Sequence, residues 1–99
     1  MKTITGFKGF KKDLTCNGMQ YEVGKEVVHE GDIKLCNKGL HFCEHPFDVF
    51  GYYSPNESRY GVVEAKDVSD EKDSDSKRVA KSLKITTELS LDAYINMGI

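Results

Sequence analysis

The segment 36–49, CNKGLHFCEHPFDV, constrains the fold of this chain more than any other stretch. Within it, residues 40–43 alternate, so that Leu40 and Phe42 would share one face of a strand. Pro46 follows closely and suits the first turn of a helix, where its missing N–H group costs no hydrogen bond. The segment therefore predicts a strand that leads directly into a short helix.

Short alternating segments separated by turn residues occupy most of the remaining chain. The predicted strands comprise residues 2–10, 19–23, 26–29, 33–36, 40–43, 59–65 and 78–89. Asn17 and Gly18 predict a tight reversal because both tolerate a positive φ. Ser90 predicts the N-cap of a last helix over residues 91–97. Together these elements predict an α+β fold in a single domain of residues 1–99. It consists of an antiparallel, twisted sheet of five to six short strands with two short helices.

The charge and the apolar content of the chain exclude several function classes. A formal net charge of −2 at pH 7 argues against direct binding to the nucleic-acid backbone, which normally requires a basic excess. No apolar run approaches the length of a membrane span, and the first residues lack the apolar core of a signal peptide. We therefore expect no membrane interaction and a location in the cytoplasm where the chain is made.

A candidate metal site is indicated by three cysteines and by two histidines close to the last of these cysteines. The candidate zinc ligands are Cys36, His41 and Cys43, with Cys16 or His45 as the fourth. Such ligands suit tetrahedral zinc, but their spacing is not that of a standard zinc finger. In the alternative interpretation, the cysteines are free thiols that pack as small apolar residues, and His41 forms a hydrogen bond where strand meets helix. A nucleophilic Cys43 activated by His41 or His45 is a further alternative.

The run of charged and hydroxyl residues at 66–77 contains one apolar residue, Val68, and predicts a mobile acidic loop. Between residues 64 and 76, six carboxylates oppose two lysines. Such a run can attract a basic groove on a protein partner, although a solvated hairpin tip has the same composition. Three tyrosines near loops are candidate interface residues or, alternatively, core residues. The predicted partner-binding residues are Glu64, Asp67, Asp70, Glu71, Asp73, Asp75, Tyr52, Tyr53 and Tyr60.

Several segments of the chain carry a family resemblance. They are GFKGF at 6–10, DLTC at 13–16, QYEVGK at 20–25, CNKGLHFCE at 36–44, PFDVF at 46–50, YY at 52–53 and RY at 59–60. In this order they resemble an uncharacterised phage and prophage domain family, whose members often precede Gly/Ala/Ser-rich repeats. The resemblance extends from Thr3 to Leu91. It implies a phage origin, but the family brings no established activity and no catalytic residue.

A looser similarity links two glycine-aromatic segments to ADP-ribosyltransferases. The segments at 6–9 and 39–42 are similar to the opening and middle strands of those enzymes, which implies a cleft for NAD or another nucleotide. The first strand offers only Lys8 here, and neither Glu64 nor Glu88 matches a catalytic glutamate clearly. Similarity at the level of the fold says little about the site.

The leading expectation is therefore a small phage-encoded, non-catalytic protein that binds and inhibits a host defence factor. An effector nuclease of the CRISPR type is the most specific form of this expectation, with the host bacterial cytoplasm as the location and no cofactor required. The alternatives are an NAD- or nucleotide-binding domain similar to ADP-ribosyltransferases, and a small zinc-binding domain.

Overall fold

Seven strands form among residues 2–99, the part of the chain that the computed structural model describes. The strands are β1 (Thr3–Phe10), β2 (Thr15–Cys16), β3 (Met19–Gln20), β4 (Glu26–Val28), β5 (Leu40–Cys43), β6 (Arg59–Val68) and β7 (Lys77–Leu89). A 3₁₀ helix covers Pro46–Gly51, and α1 covers Leu91–Met97. Five strands form one antiparallel sheet, and β2 and β3 form a separate hairpin. The predicted fold class is therefore confirmed.

The main sheet closes on itself. Its strands follow the order β4-β7-β5-β1-β6, and β6 pairs with β7 as well as with β1. The seam between β1 and β5 is the weakest part of this ring, since only Phe7 and Cys43 are paired there. By contrast, β1 and β6 are paired along the whole of β1. Strand β1 is therefore paired along its whole length with β6 but at a single residue pair with β5.

The 13-residue strand β7 connects the two sides of the ring. Along one edge it pairs with β6 from Ala80 to Leu89. Along its other edge, residues 77–80 pair with β5 and residues 82–84 pair with β4. The register between β6 and β7 shifts between Val62 and Val63, and a bulge of this kind bends a strand and increases its twist. The bend allows the long strands to curl into the closed sheet.

The two faces of the sheet bury two apolar clusters. Leu40 and Phe42 belong to the larger cluster, which also contains Phe10, Val63 and Leu83. The neighbouring Cys43 belongs to the second cluster with Val49, Tyr60 and Tyr94. Leu40 and Phe42 thus share one face of β5, as predicted, and Cys43 lies on the other face. The second cluster is covered by the 3₁₀ helix and by α1.

Tyr94 joins the two short helices to the sheet. Its ring stacks on Tyr60 with centroids 4.6 Å apart and meets Phe7 edge-on at 5.9 Å. Its buried hydroxyl donates a hydrogen bond of 2.6 Å to the carbonyl of Pro46. The N-cap prediction for this helix is confirmed, because the Ser90 side chain accepts a hydrogen bond from the Ala93 N–H group.

Two predicted strand regions differ from the structure. Residues 33–36 do not form a strand, because Lys34 and Lys38 bond to each other through N–H to O distances of 2.7 and 2.9 Å. These bonds close a turn with Cys36 at a φ of 63°. In residues 19–23, the strand ends after Met19–Gln20. The tight reversal before it is confirmed, with φ values of 50° at Asn17 and 78° at Gly18.

The region predicted as a loop at 66–77 is shorter in the structure. Strand β6 continues to Val68, which is 8 % exposed and pairs with Ala80 of β7. Strand β7 already begins at Lys77. Burial of Val68 thus extends the hairpin, and the connecting loop comprises residues 69–76. None of the helices formed by residues 2–99 has the length and apolar character needed to cross a membrane.

Candidate functional site

The acidic loop, residues 69–76, is anchored at both ends. At its start, the buried Arg78 guanidinium donates 2.9 Å hydrogen bonds to the Ser69 carbonyl and to Glu44. At its end, the Ser76 N–H group donates to Asp48 at 3.0 Å, and the Ser76 hydroxyl accepts from His45 N–H at 2.8 Å. These bonds fix where the loop leaves and rejoins the sheet. Its mobility in solution stays a prediction.

Each carboxylate of the acidic loop also accepts a hydrogen bond from a segment distant in sequence. Asp70 accepts from Lys2 Nζ at 2.7 Å, and Glu71 accepts from the Leu35 N–H group at 3.1 Å. The hydrogen bond from Lys2 holds the pKa of Asp70 below its ordinary value. The Cys36 thiol, 3.1 Å from Asp73, lowers the pKa of that carboxyl in the same way. Both carboxyl groups are therefore charged at neutral pH.

The three candidate tyrosines occupy different environments. Tyr52 is 48 % exposed and donates a hydrogen bond of 2.6 Å to Asp75. Tyr53 is half-buried and its hydroxyl donates to the Cys16 sulfur at 2.9 Å. Tyr60 is 2 % exposed, so this side chain belongs to the core and is not available to a partner. Of the three, Tyr52 alone extends the surface of the acidic loop.

Two predicted carboxylates lie outside the acidic loop. Glu64 is in the middle of β6, opposite Thr5 on one side and Lys84 on the other. Asp67 lies near the end of β6 with a φ of 55°. We therefore define the acidic surface as the residues Tyr52, Asp70, Glu71, Asp73 and Asp75.

The candidate zinc ligands have other partners in the fold. The Cys36 N–H group donates to His41 Nε2 at 2.9 Å, and Phe47 N–H donates to His45 Nδ1 at 3.2 Å. Cys43 is buried, and Cys16 accepts the hydroxyl of Tyr53. In residues 2–99, no group of three His, Cys, Asp or Glu side chains is placed to hold a metal ion. Zinc binding stays a prediction.

The environment of Cys43 does not favour a nucleophilic thiolate. Burial raises the pKa of this thiol to about 12, and the nearby Asp75 and Asp48 act in the same direction. Burial also lowers the pKa of His41 to about 4, with Lys77 and Lys8 contributing. At neutral pH the thiol is protonated and the imidazole is neutral. The two residues therefore do not form the thiolate–imidazolium pair of a cysteine nucleophile.

A cleft of about 800 Å³ opens beside the single-residue seam between β1 and β5. Cationic and neutral polar side chains share its lining with aromatic ones. The lysine, histidine and cysteine side chains among them are Lys8, Lys38, Lys77, His29, His41, Cys16, Cys36 and Cys43. Among the described residues, no Asp or Glu lines the cleft. At its edge, Asp73 contacts Cys36, and Asp75 contacts Tyr52 and the backbone of Lys77. The lining is thus basic in a chain with a negative net charge.

Lys8 is the most unusual residue of this cleft. Only 5 % of the residue is exposed, and its Nζ donates a hydrogen bond to the His41 carbonyl on the opposite side of the seam. The amine lies 5.9 Å from the ring centroid of Phe10 and 5.6 Å from that of Tyr21. Sequence reasoning did not select Lys8 as a site residue. The available signal was its inward-facing position in β1, two residues before the buried Phe10.

Comparison with known families assigns the chain to one of them. A model described as "Domain of unknown function (DUF7666)" matches residues 4–97. Neither a search of curated proteins nor a search of solved structures returned a significant match. The expected association with phages and with repeat regions stays a prediction. Because the matched segment spans nearly the whole chain, this protein belongs to the DUF7666 family.

Proposed function

We propose that this protein is a small, phage-encoded, non-catalytic protein that binds and inhibits a host defence factor through the acidic surface. The observation that carries the proposal is the fixed placement of charged carboxylates beside the exposed Tyr52. Asp70, Glu71 and Asp73 are exposed while each also accepts an intramolecular hydrogen bond. The proposed location is the cytoplasm of the bacterial host.

Pre-organisation supports binding by this surface. A loop that is held in place before association loses less conformational entropy on binding than a free loop does. The hydrogen bond between Tyr52 and Asp75 adds an aromatic side chain to the carboxylates, and tyrosine is enriched among residues that dominate interface energies. The acidic surface therefore combines electrostatic steering with a candidate anchor.

Charge complementarity supports the choice of partner. Proteins that bind nucleic acid present basic grooves, because they must neutralise phosphates. Closely spaced carboxylates on a loop anchored at both ends can occupy such a groove and compete with the nucleic acid. An effector nuclease of a bacterial defence system, with the CRISPR type as the most specific proposal, therefore fits this surface.

The proposal is tested by titrating the protein into a DNA-cleavage assay with a CRISPR effector nuclease. We expect inhibition that is complete near one protein per effector, as for a binding inhibitor. The variant D70N/E71Q/D73N should lose inhibition, whereas the control E22Q/E30Q/E57Q should retain it. The control removes the same number of charges from exposed residues elsewhere. Equal inhibition by both variants, or inhibition at far less than one protein per effector, would contradict the proposal.

A second candidate function is the binding of NAD or another nucleotide in the cleft. The observation that favours it is the basic lining without acidic residues, in a cleft whose volume lies within the range of small-molecule sites. Neither Glu64 nor Glu88 lines the cleft, so the geometry supports nucleotide binding rather than ADP-ribosyl transfer. Thermal unfolding with NAD and with ADP tests this candidate. An unchanged melting temperature at millimolar ligand would contradict it.

A further inference from the structure

The position of Lys8 combines three features that seldom occur together. Its side chain is buried, it lines the cleft, and it takes part in none of the ion pairs formed by residues 2–99. Its described hydrogen-bond acceptor is the neutral carbonyl of His41. We infer that Lys8 is an amine nucleophile and that the cleft receives a small carbonyl compound carrying an anionic group, which forms an imine with it. This inference is independent of the acidic surface and its proposed partner.

The surroundings of Lys8 favour the neutral, nucleophilic form of its amine. A lysine loses hydration when it is buried, and without a carboxylate nearby the charged form is disfavoured. Burial accordingly lowers the pKa of Lys8, and the neighbouring Lys77 acts in the same direction. Cys16 and, to a smaller extent, Cys43 act in the opposite direction, and the effect of each is larger than that of Lys77. The Cys43 thiol is protonated at neutral pH, so it provides no full negative charge.

Two further groups close to Lys8, His41 and Tyr21, are also uncharged. His41 is neutral at pH 7 because burial lowers its pKa to about 4. Tyr21, whose ring lies 5.6 Å from the Lys8 amine, keeps its proton because burial raises its pKa. The aromatic rings attract a cation weakly at these distances and do not replace a carboxylate. The amine is therefore placed as in proteins that use a desolvated lysine to attack a carbonyl group.

The lining of the cleft indicates the class of carbonyl compound. Lys77 provides positive charge near the amine, Lys38 lines the same cleft, and no described lining residue is an Asp or Glu. An anionic substituent is therefore attracted by the lining, and the carbonyl group can then reach Lys8. A carboxylate and a phosphate would both satisfy this requirement.

The reaction requires no oxidant or reductant. The lone pair of Lys8 Nζ attacks the carbonyl carbon, a C–N bond forms, and the electrons of the C=O π bond move to oxygen. The nitrogen then loses one of its two protons, and the oxygen takes up one. The resulting carbinolamine loses its hydroxyl group and the remaining N–H proton as water. A C=N bond is left between Lys8 and the carbon of the ligand. The reverse reaction with water restores the amine.

Reductive trapping followed by peptide mapping tests the inference in the unmodified protein. The protein is treated with cyanoborohydride and one of three probes: glyoxylate, which carries a carboxylate; glycolaldehyde phosphate, which carries a phosphate; or uncharged propionaldehyde. The other lysines of the chain serve as internal controls. At pH 7 we expect at least one anionic probe to modify Lys8 at least about tenfold faster than the average lysine, because a buried amine is neutral more often and the cleft holds the probe beside it.

The outcomes separate the parts of the inference. If Lys8 is modified no faster than the other lysines, it is not the proposed amine nucleophile. Equal modification by propionaldehyde would overturn the anionic class of ligand, and the faster of the two anionic probes distinguishes carboxylate from phosphate. The variant K8M should lose the fast modification. Because the mapping compares lysines within the wild-type protein, the test decides the question even where K8M fails to fold.

Discussion

The Tyr52 hydroxyl donates a hydrogen bond of 2.6 Å to the Asp75 carboxylate, 23 residues later in the chain. The bond joins the end of the 3₁₀ helix to the acidic loop. It also raises the pKa of Tyr52 above its ordinary value, because the carboxylate stabilises the protonated hydroxyl. Two parts of the predicted partner surface that are separate in sequence are therefore adjacent in the fold.

The first prediction concerns this hydrogen bond. We expect Y52F to lower the free energy of unfolding by about 1 kcal/mol, the usual contribution of one such bond. Amide hydrogen exchange in residues 69–76 should accelerate, because the loop loses one of its attachments. A double-mutant cycle with D75A separates this bond from the one that Asp75 also accepts from Lys77 N–H, because alanine offers no side-chain acceptor. Zero coupling energy in that cycle would show that the bond does not form in solution.

The second prediction concerns the close approach of β1 and β5. A Cβ atom added to Gly6 would lie 2.5 Å from Phe42 Cδ2 and 2.8 Å from the Cys43 carbonyl oxygen. We therefore expect G6A to destabilise the protein by about 1–3 kcal/mol in urea denaturation, as overpacked core substitutions do. G51A is the matched control, because nothing lies within 4 Å of a Cβ atom there. Equal stability of the two variants would contradict the described seam.

The third prediction uses the pH dependence of Lys8. Its pKa is lowered from 10.5 by burial, so between the lowered value and 10.5 the unfolded chain binds a proton that the folded chain does not. Stability due to this residue therefore rises with pH through that window. From neutral pH to about pH 9.5, we expect the difference in unfolding free energy between wild type and K8M to change in favour of wild type. The change should be at most about 1.4 kcal/mol per pH unit. Parallel stability curves for the two proteins would mean that Lys8 keeps an ordinary pKa in the fold.

The fourth prediction concerns His41. Its pKa is lowered from 6.5 to about 4, mainly by burial, so the unfolded chain takes up the proton first as the pH falls. Stability due to His41 is therefore lost from pH 6.5 down to about pH 4. Protonation would also remove the acceptor for the Cys36 N–H group. In NMR titrations, the His41 ring should remain neutral at pH 5. A midpoint near 6.5 would contradict its described environment.

The local elements of the fold could be predicted because their signals are local. The alternation in residues 40–43, the reversal at Asn17 and Gly18, and the N-cap at Ser90 each depend on a few neighbouring residues. The turn at residues 34–38 was missed because two backbone hydrogen bonds between Lys34 and Lys38 outweigh a weak alternation. Strand propensity depends strongly on such tertiary and turn context.

The candidate sites were less accessible to sequence reasoning. Tyr60 is buried because it stacks on Tyr94, which lies 34 residues away, and no pattern among neighbouring residues predicts that contact. The closure of the sheet at Phe7 and Cys43 depends on one residue pair, which leaves no periodic signal. Alternation in β1 predicts that Lys8 faces inward. The cleft beside Lys8, however, depends on the long-range pairing of β5 and has no local signal. By contrast, composition alone identified the carboxylates of the acidic loop.

The most direct test of the proposed function is the equilibrium affinity of the protein for a CRISPR effector nuclease at two salt concentrations. We expect D70N/E71Q/D73N to bind at least about tenfold more weakly than wild type at low salt, equivalent to about 1.4 kcal/mol. Its affinity should also depend less on salt. The control E22Q/E30Q/E57Q should bind as wild type does. Identical affinities for wild type and the loop variant at both salt concentrations would contradict the account.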